Sequence, residues 1–329
     1  MQNQLLKKTE RSRIGYIDVF RGIGIILVVI GHVGFSLNST IYIQSFHMPM
    51  FFFISGFLFS GNRPWRPFII KRIRTLLVPY FAFGLVATAI VYFGKPSVFP
   101  AKLQAFLWYS TEEYPLSTAM WFLPALFIGN VVYYFLDKVK NPILRNGTII
   151  ALALFGEFFT MLTGIILPYA LCPALVGVGL IHIGRLLRPY ESKIVSLKPY
   201  VIIPMAIAGV LLSIYEGYVS MRTSTYPDAV LFWPVALINT IVALNAASFL
   251  ERKFCQNPCS RYLSKIGQNA IVYVVLNQQC INIAGFAVQR LKLGFYLQQT
   301  LTFLLSMVLL YVCTEIVIRT PLRKLIGRD

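Results

Sequence analysis

Acidic residues are scarce in this chain. It contains 12 Asp and Glu residues against 30 Lys and Arg residues, which gives a formal net charge of +18 at pH 7. In a soluble protein such an excess would favour binding to nucleic acid. Here the cations are spread over several segments between apolar runs, and they do not gather into one stripe. We therefore predict that nucleic acid is not a partner.

Cysteine is also sparse, and its spacing follows no known pattern. The five cysteines show neither the paired spacing of a zinc site nor the framework of a disulfide-rich secreted domain. We predict no metal site and no tightly bound cofactor. Internal repeats, low-complexity tracts and an appended soluble domain are missing too. The expectation is a single polytopic domain over residues 1–329, with 1–14 and 319–329 as short segments outside the membrane.

Apolar residues are abundant. Hydrophobic residues make up 57% of the chain and the mean hydropathy is +0.68. Runs of about 17–25 mainly apolar residues are long enough to cross a bilayer as helices. We predict an all-α integral membrane protein with ten transmembrane helices, at 15–37, 43–60, 73–94, 118–137, 147–166, 168–187, 200–219, 228–250, 267–289 and 295–318.

The basic residues predict an orientation for these helices. If the N-terminus is cytoplasmic, 24 of the 30 Lys and Arg residues lie in cytoplasmic segments, five lie outside, and Arg21 lies within the first span. This asymmetry is the one that the positive-inside rule describes. Removing any one helix would invert the later loops and destroy it. We therefore expect cytoplasmic N- and C-termini and a multi-pass protein of the cell's plasma or inner membrane.

The first predicted span carries polar residues at bilayer depth. Arg21 and His32 are eleven positions apart, so at about 100° per residue they share one helix face to within roughly 20°, separated by about 16 Å along the axis. Asp18 precedes Arg21 by three residues, a spacing at which helical side chains touch. Because an unpaired charge in a membrane costs several kcal/mol, such a face is a functional-site hypothesis.

These motifs resemble those of a known family. The chain has Asp18, the pair Arg21-Gly22, His32 with ten residues between it and Arg21, and then FHMPMFFFISGFLF. This pattern resembles the membrane-bound acyltransferase-3 family, especially its branch of sugar O-acetylases similar to fucose 4-O-acetylase. The resemblance implies transfer of an acyl group, usually acetyl from cytoplasmic acetyl-CoA, to a hydroxyl of a cell-surface or lipid-linked sugar. Further similar segments are TLLVPY, MWFLPALF, LPYALCPAL and SKIGQNAIVYVVLNQ.

For that reaction the first helix supplies the catalytic candidates. A sugar hydroxyl is a poor nucleophile near pH 7 and needs a base, a role suited to neutral His32. Arg21, oriented by Asp18, would stabilise developing charge or hold the donor. Two routes remain open at this stage: direct attack on the thioester, and an acyl-imidazole relay through His32.

The cationic segment after the second span supplies the donor-binding candidates, Lys71, Arg72 and Arg74. Guanidinium groups bind phosphate oxygens through paired hydrogen bonds, as the phosphates of CoA would require. The alternative is that these cations anchor the topology and contact anionic lipid headgroups. In the resembling family two arginines often stand three apart before Leu-Leu-x-Pro-Tyr. Arg72 occupies the first position, Thr75 the second, and Arg74 is the neighbouring substitute.

Candidates for the acceptor site or a polar cavity come from other spans. They are His47, Trp121, the intramembrane acid Glu157, and Asn277, which stands where the resembling family segment usually ends in His. The aromatic and acidic residues of loop 95–117 would also suit a sugar, although interfacial aromatic belts have the same composition. A second intramembrane acid, Glu315, precedes Arg319 by four residues, so an ordinary helical ion pair is expected there.

A transporter or flippase of a glycan or organic anion is the alternative function. Intramembrane acids, arginine and histidine also mark transport paths. Paired broken helices and an internal repeat would favour this alternative. Neither is evident from the sequence, so an acyltransferase is the leading prediction, with acyl-CoA, a glycan acceptor and membrane lipid as partners.

Overall fold

The computed structural model describes residues 2–92, 94–108, 118–255 and 257–328, with side chains from Gly15 onward. Within these ranges the chain forms helices and one isolated β-bridge, Ser220 to Thr225. The α-helices are α1 (Gln2–Val33), α2 (Leu37–Phe46), α3 (Pro49–Phe57), α4 (Trp65–Arg72), α5 (Val78–Tyr92), α6 (Phe99–Trp108), α7 (Phe122–Leu136), α8 (Pro142–Thr163), α9 (Leu171–Leu187), α10 (Glu191–Ile194), α11 (Pro199–Glu216), α12 (Ala229–Phe254), α13 (Pro258–Gln268), α14 (Ala270–Gln289) and α15 (Phe295–Arg319).

The predicted all-α membrane class is confirmed. Nine helical segments in the described part of the chain are long and apolar enough to cross a membrane. They are Gly15–Val33, Trp65–Tyr92, Ala119–Leu136, Pro142–Thr163, Pro168–Ile194, Pro199–Glu216, Ala229–Phe254, Ala270–Gln289 and Phe295–Arg319. Apolar side chains remain exposed on the outer helices, for example Leu162, Leu211 and Val308. Such an exposed apolar surface suits contact with lipid chains.

The second predicted span, 43–60, differs from the expectation. It is divided into α2 and α3, and the break falls at His47 and Met48. Pro49 explains the break, because it has no N–H to bond to the preceding turn and its ring would clash with the carbonyl four residues earlier. Ten crossings therefore require α2 and α3 to span the bilayer together.

Helix α1 packs against α12, α13 and α14. The contact with α13 is unusually close. A Cβ on Gly267 would lie 1.8 Å from the Asp18 carbonyl oxygen, and one on Gly22 would lie 2.1 Å from that of Leu263. Only glycine permits this approach of two backbones. The short helix α13 thereby fixes the position of the first turn of α1 that enters the membrane.

The connection from α4 to α5 contains a π-helical turn, Ile73–Leu77. The N–H of Val78 bonds to the carbonyl of Ile73, five residues back, so the turn holds one residue more than an α-helical turn. Lys71 and Arg72 end α4 directly before this turn, and Arg74 lies within it.

Candidate active site

The polar face of α1 is formed as the sequence predicts. The helix is continuous from Gln2 to Val33, and Arg21 Nη1 lies 3.5 Å from Asp18 Oδ1. Between Arg21 and His32 this face carries Ile25 and Val28, both buried. The two polar ends of the face are therefore separated by apolar packing.

The first cavity, here called the Arg21 cavity, has a volume of about 410 Å³. Its walls combine four cations with apolar side chains from α3, α4, α7 and α14. The cations are Arg21, Arg63, Lys71 and Arg72, and the apolar walls include Phe51, Phe68, Phe122 and Val274. This arrangement offers a cationic region for an anionic group next to an apolar space for an uncharged one.

Two of these cations are held in place by aromatic residues. The Arg72 guanidinium lies 5.4 Å from the centre of the Phe68 ring, and Phe68 stacks on Tyr134 at 4.6 Å. The Tyr134 hydroxyl in turn donates a hydrogen bond to the Arg63 carbonyl at 2.6 Å. Tyr134 thus connects the loop that carries Arg63 to the helix that carries Arg72.

The structure separates the predicted donor residues. Lys71 and Arg72 line the Arg21 cavity, whereas Arg74 is exposed and lies outside it. Thr75 lines the cavity at the position where the family resemblance expects a second arginine, and its hydroxyl donates to the Lys71 carbonyl at 2.9 Å. A further cation comes from Arg63. The sequence included it only as one member of a cationic segment, and no spacing singled it out.

The second cavity, here called the His32 cavity, has a volume of about 250 Å³ and shares no lining residue with the first. His32, His47 and Trp121 meet there, although they come from three different segments. Three further aromatic or sulfur-containing residues line it, and they are Met48, Tyr218 and Met221. The polar lining residues include Thr40, Gln44, Thr118, Ser220 and Arg222.

A hydrogen bond defines the tautomer of His47. Its Nδ1 lies 2.8 Å from the Ile43 carbonyl oxygen, which can only accept. Nδ1 therefore carries the proton and donates it, and Nε2 of the neutral ring is left as an acceptor. The backbone of α2 thus orients this imidazole in the break before α3.

Arg222 is a lining residue that sequence reasoning did not select. It lies in the loop between α11 and α12, where Ser220 and Thr225 exchange two backbone hydrogen bonds of 2.9 Å. The only sequence signal was that Arg222 is one of five cations on the predicted outer side, and that signal says nothing about contact with His32.

Two predicted cavity residues line neither cavity. Glu157 is buried and accepts a hydrogen bond from Trp233 Nε1 at 3.2 Å, and Asn277 is buried in α14. Trp108 is exposed, 6.4 Å from the ring of Tyr169. The remaining aromatic and acidic candidates of that loop, Tyr109, Glu112, Glu113 and Tyr114, lie outside the described residues.

No group of three His, Cys, Asp or Glu side chains in the described part of the chain is placed to hold a metal ion. The side chains that line the two cavities supply cations, imidazoles and hydroxyl groups.

Comparison with known proteins supports an assignment to a family. No curated protein and no solved structure matches the chain. Residues 14–319, however, match the model of an acyltransferase domain, and this range contains both cavities and nearly all of the helices. The chain belongs to the acyltransferase-3 family and is a multi-pass membrane acyltransferase.

Proposed function

We propose that this acyltransferase moves an acetyl group from acetyl-CoA, bound on the cytoplasmic side, to a hydroxyl of a sugar on the other side of a plasma or inner membrane. One observation carries the proposal: Arg21 and His32 share one helix face but line two separate cavities, one rich in cations and one containing two imidazoles.

The Arg21 cavity suits the donor. Arg63, Lys71 and Arg72 provide charge-assisted donors for the phosphates of CoA, and arginine can bind a phosphate through two parallel hydrogen bonds. The apolar wall beyond them accepts the uncharged arm that ends in the thioester. Its volume of about 410 Å³ falls in the range of about 300–1,000 Å³ typical of small-molecule sites. Arg21 holds the donor in this cavity, since it lies about 16 Å along α1 from His32, where the carbonyl carbon reacts.

The His32 cavity suits the acceptor. Its volume of about 250 Å³ is below that range, so it fits one sugar unit rather than a long glycan segment. Trp121 and Tyr218 provide aromatic surfaces for the ring, and Thr40, Gln44 and Ser220 provide hydrogen-bonding groups for its hydroxyls. The ordered imidazole of His47 adds an acceptor that helps to position the sugar.

In the proposed reaction His32 removes the proton of the sugar hydroxyl. The hydroxyl oxygen bonds to the carbonyl carbon, the carbon–sulfur bond breaks, and CoA leaves as a thiolate that takes up a proton. In the relay route a His32 nitrogen bonds to the carbonyl carbon first and CoA leaves as a thiolate. The sugar oxygen then bonds to that carbon, the nitrogen–carbon bond breaks, and the released imidazole takes up the hydroxyl proton. In both routes the acyl end of the donor must extend from the Arg21 cavity to the His32 cavity, because the carbon–sulfur bond breaks only when the sugar oxygen or His32 attacks the carbonyl carbon.

Radiolabelled acetyl-CoA tests the proposal with the purified full-length protein in lipid vesicles. We expect the thioester to be consumed and the label to appear in ester linkage on an added glycan, or in acetate when no acceptor is present. The His32→Ala protein serves as the control for contaminating activity. Movement of a glycan across the vesicle membrane without thioester consumption would instead identify a transporter.

A further inference from the structure

The two cavities approach each other within one layer of side chains. Met48 lines the His32 cavity and Phe51 lines the Arg21 cavity, and they occupy one turn, in which the Phe51 N–H bonds to the Met48 carbonyl at 3.1 Å. Trp121 and Phe122 repeat this arrangement, because these consecutive residues line the His32 and Arg21 cavities respectively. A group passing between the cavities must cross this layer.

Two aromatic rings form the layer on the side of the Arg21 cavity. The Phe51 and Phe122 rings are 5.6 Å apart at 55°, and Phe52 and Trp121 flank Phe122 at 5.2 and 6.2 Å. Phe51 is 8% exposed and Phe122 is 4% exposed. The two rings therefore lie buried between the cavities.

Helix α1 packs against this layer from a third side, next to the segments that carry Phe51 and Phe122. A Cβ on Gly24 would lie 2.6 Å from Cζ of Phe51, so the Phe51 ring lies directly on the backbone of α1. Gly24 follows Arg21 by three residues, about 4.5 Å along the axis. The ring of Phe51 thus covers the path along α1 just beyond Arg21, on the way to His32.

We infer that Phe51 and Phe122 form a closure between the two cavities and that the closure selects short acyl groups. The inference rests on the proposed function, since it concerns the acyl group that the reaction moves. The acyl end of the donor enters this layer first, and a two-carbon acyl group does so after a small displacement of the rings. Each further methylene needs space that the rings occupy in a tightly packed interior.

The proposed closure is tested by comparing acyl-CoA donors of increasing acyl length with the purified full-length protein. Transfer or hydrolysis is measured with acetyl-, propionyl-, butyryl- and hexanoyl-CoA for the wild type, Phe51→Ala and Phe122→Ala. We expect the wild type to prefer acetyl, and each variant to raise the butyryl-to-acetyl ratio of kcat/KM by at least about tenfold, the scale on which pockets discriminate single methylenes. Phe51→Leu and Phe122→Leu provide milder openings if an alanine variant does not fold.

Phe53→Ala is the matched control. Phe53 lies on α3 like Phe51, is 2% exposed, stacks on Phe57 at 5.7 Å and lines neither cavity. Its removal should leave the chain-length ratio at the wild-type value. The closure alone would be overturned if the wild type transfers acetyl and an active Phe51 or Phe122 variant keeps the wild-type butyryl-to-acetyl ratio of kcat/KM. A wild type that uses no acyl-CoA at all would overturn the proposed function and the closure with it.

Discussion

Arg21 and His32 lie on one face of α1, yet Arg21 lines the cationic cavity and His32 lines the cavity that contains His47. Their eleven-residue spacing corresponds to about 16 Å along the helix. A single helix therefore connects a place suited to an anionic donor with a place suited to a neutral acceptor, and the proposed reaction divides its chemical tasks between the two ends.

Replacing His32 and His47 tests whether His32 acts as the base while His47 positions the acceptor. We expect His32→Ala to lower the rate of transfer by about 10²–10⁴-fold, the usual contribution of a general base, while acetyl-CoA still binds. His47→Ala should instead raise the KM for the acceptor more than it lowers kcat, because His47 is proposed to position the sugar. Steady-state kinetics and donor binding measured by calorimetry distinguish these outcomes. Wild-type turnover in His32→Ala would exclude it as the base.

Arg72 and Arg74 form a matched pair for the donor site. Arg72 lines the Arg21 cavity and Arg74, two residues on, is exposed and outside it. Because hydrogen bonds to charged groups contribute about 1.5–3 kcal/mol, Arg72→Ala should reduce kcat/KM for acetyl-CoA by roughly ten- to a hundredfold.

Arg72→Lys should recover only part of that loss, since lysine keeps the charge but lacks the paired donors. Arg74→Ala should retain wild-type donor kinetics. An equal loss in the two alanine variants would show that these cations act through general attraction or lipid contact rather than through the cavity.

The close contact between α1 and α13 makes a stability prediction. Gly267→Ala places a Cβ about 1.8 Å from the Asp18 carbonyl oxygen, so the two helices must separate. We expect a loss of about 1–3 kcal/mol in the free energy of unfolding, the typical cost of overpacking. Thermal denaturation in detergent measures this as a lower melting temperature.

Gly147→Ala is the control for that substitution. Gly147 lies within α8, where an added Cβ meets nothing within 4 Å. Alanine is the better helix former by about 1 kcal/mol, so the melting temperature should stay the same or rise. A similar loss in both variants would contradict the importance of the α1–α13 contact.

Thiol labelling tests the orientation, which so far remains a prediction. Cys255 and Cys259 are exposed in the wild type, whereas Cys172 and Cys280 are buried. In right-side-out vesicles a membrane-impermeant maleimide should leave Cys255 and Cys259 unlabelled until the membrane is permeabilised. Single cysteines placed at Asn146 and Asn257 of a cysteine-free chain should behave in the same way. Labelling of either from outside would contradict ten crossings with cytoplasmic termini.

Local patterns predicted the features that depend on one helix. Arg21 and His32 share a face because helical periodicity requires it, and the Asp18–Arg21 pair forms for the same reason. The predicted pair of Glu315 and Arg319 is also present, at 2.8 Å. The sequence did not indicate that Lys265 of α13 contacts the same Glu315 carboxylate, because that contact depends on how two distant helices pack.

Features that depend on tertiary packing could not be predicted from the sequence. The positions of Arg222 and His32 in the sequence do not indicate that both line one cavity. That arrangement depends on how the loop between α11 and α12 packs in the folded protein. Glu157 was selected because it has no partner on its own helix, but its partner, Trp233, is on α12. The span predicted over 43–60 is divided at His47 and Met48 into α2 and α3, and the end of α2 at that point was not predicted.

The π-helical turn Ile73–Leu77 makes the lining of the Arg21 cavity sensitive to the deletion of a residue from this part of the protein. One residue corresponds to about 100° of rotation in an α-helix. Pro79 and Tyr80 are buried at the start of α5, so deletion of one residue from the turn would have to be absorbed by rotating α4. Lys71 and Arg72 would then turn away from the cavity although neither had been replaced. Deletion of one residue from this turn would therefore remove two cations from the cavity. A one-residue gap at this position in a related sequence would indicate a changed donor site as clearly as the loss of an arginine.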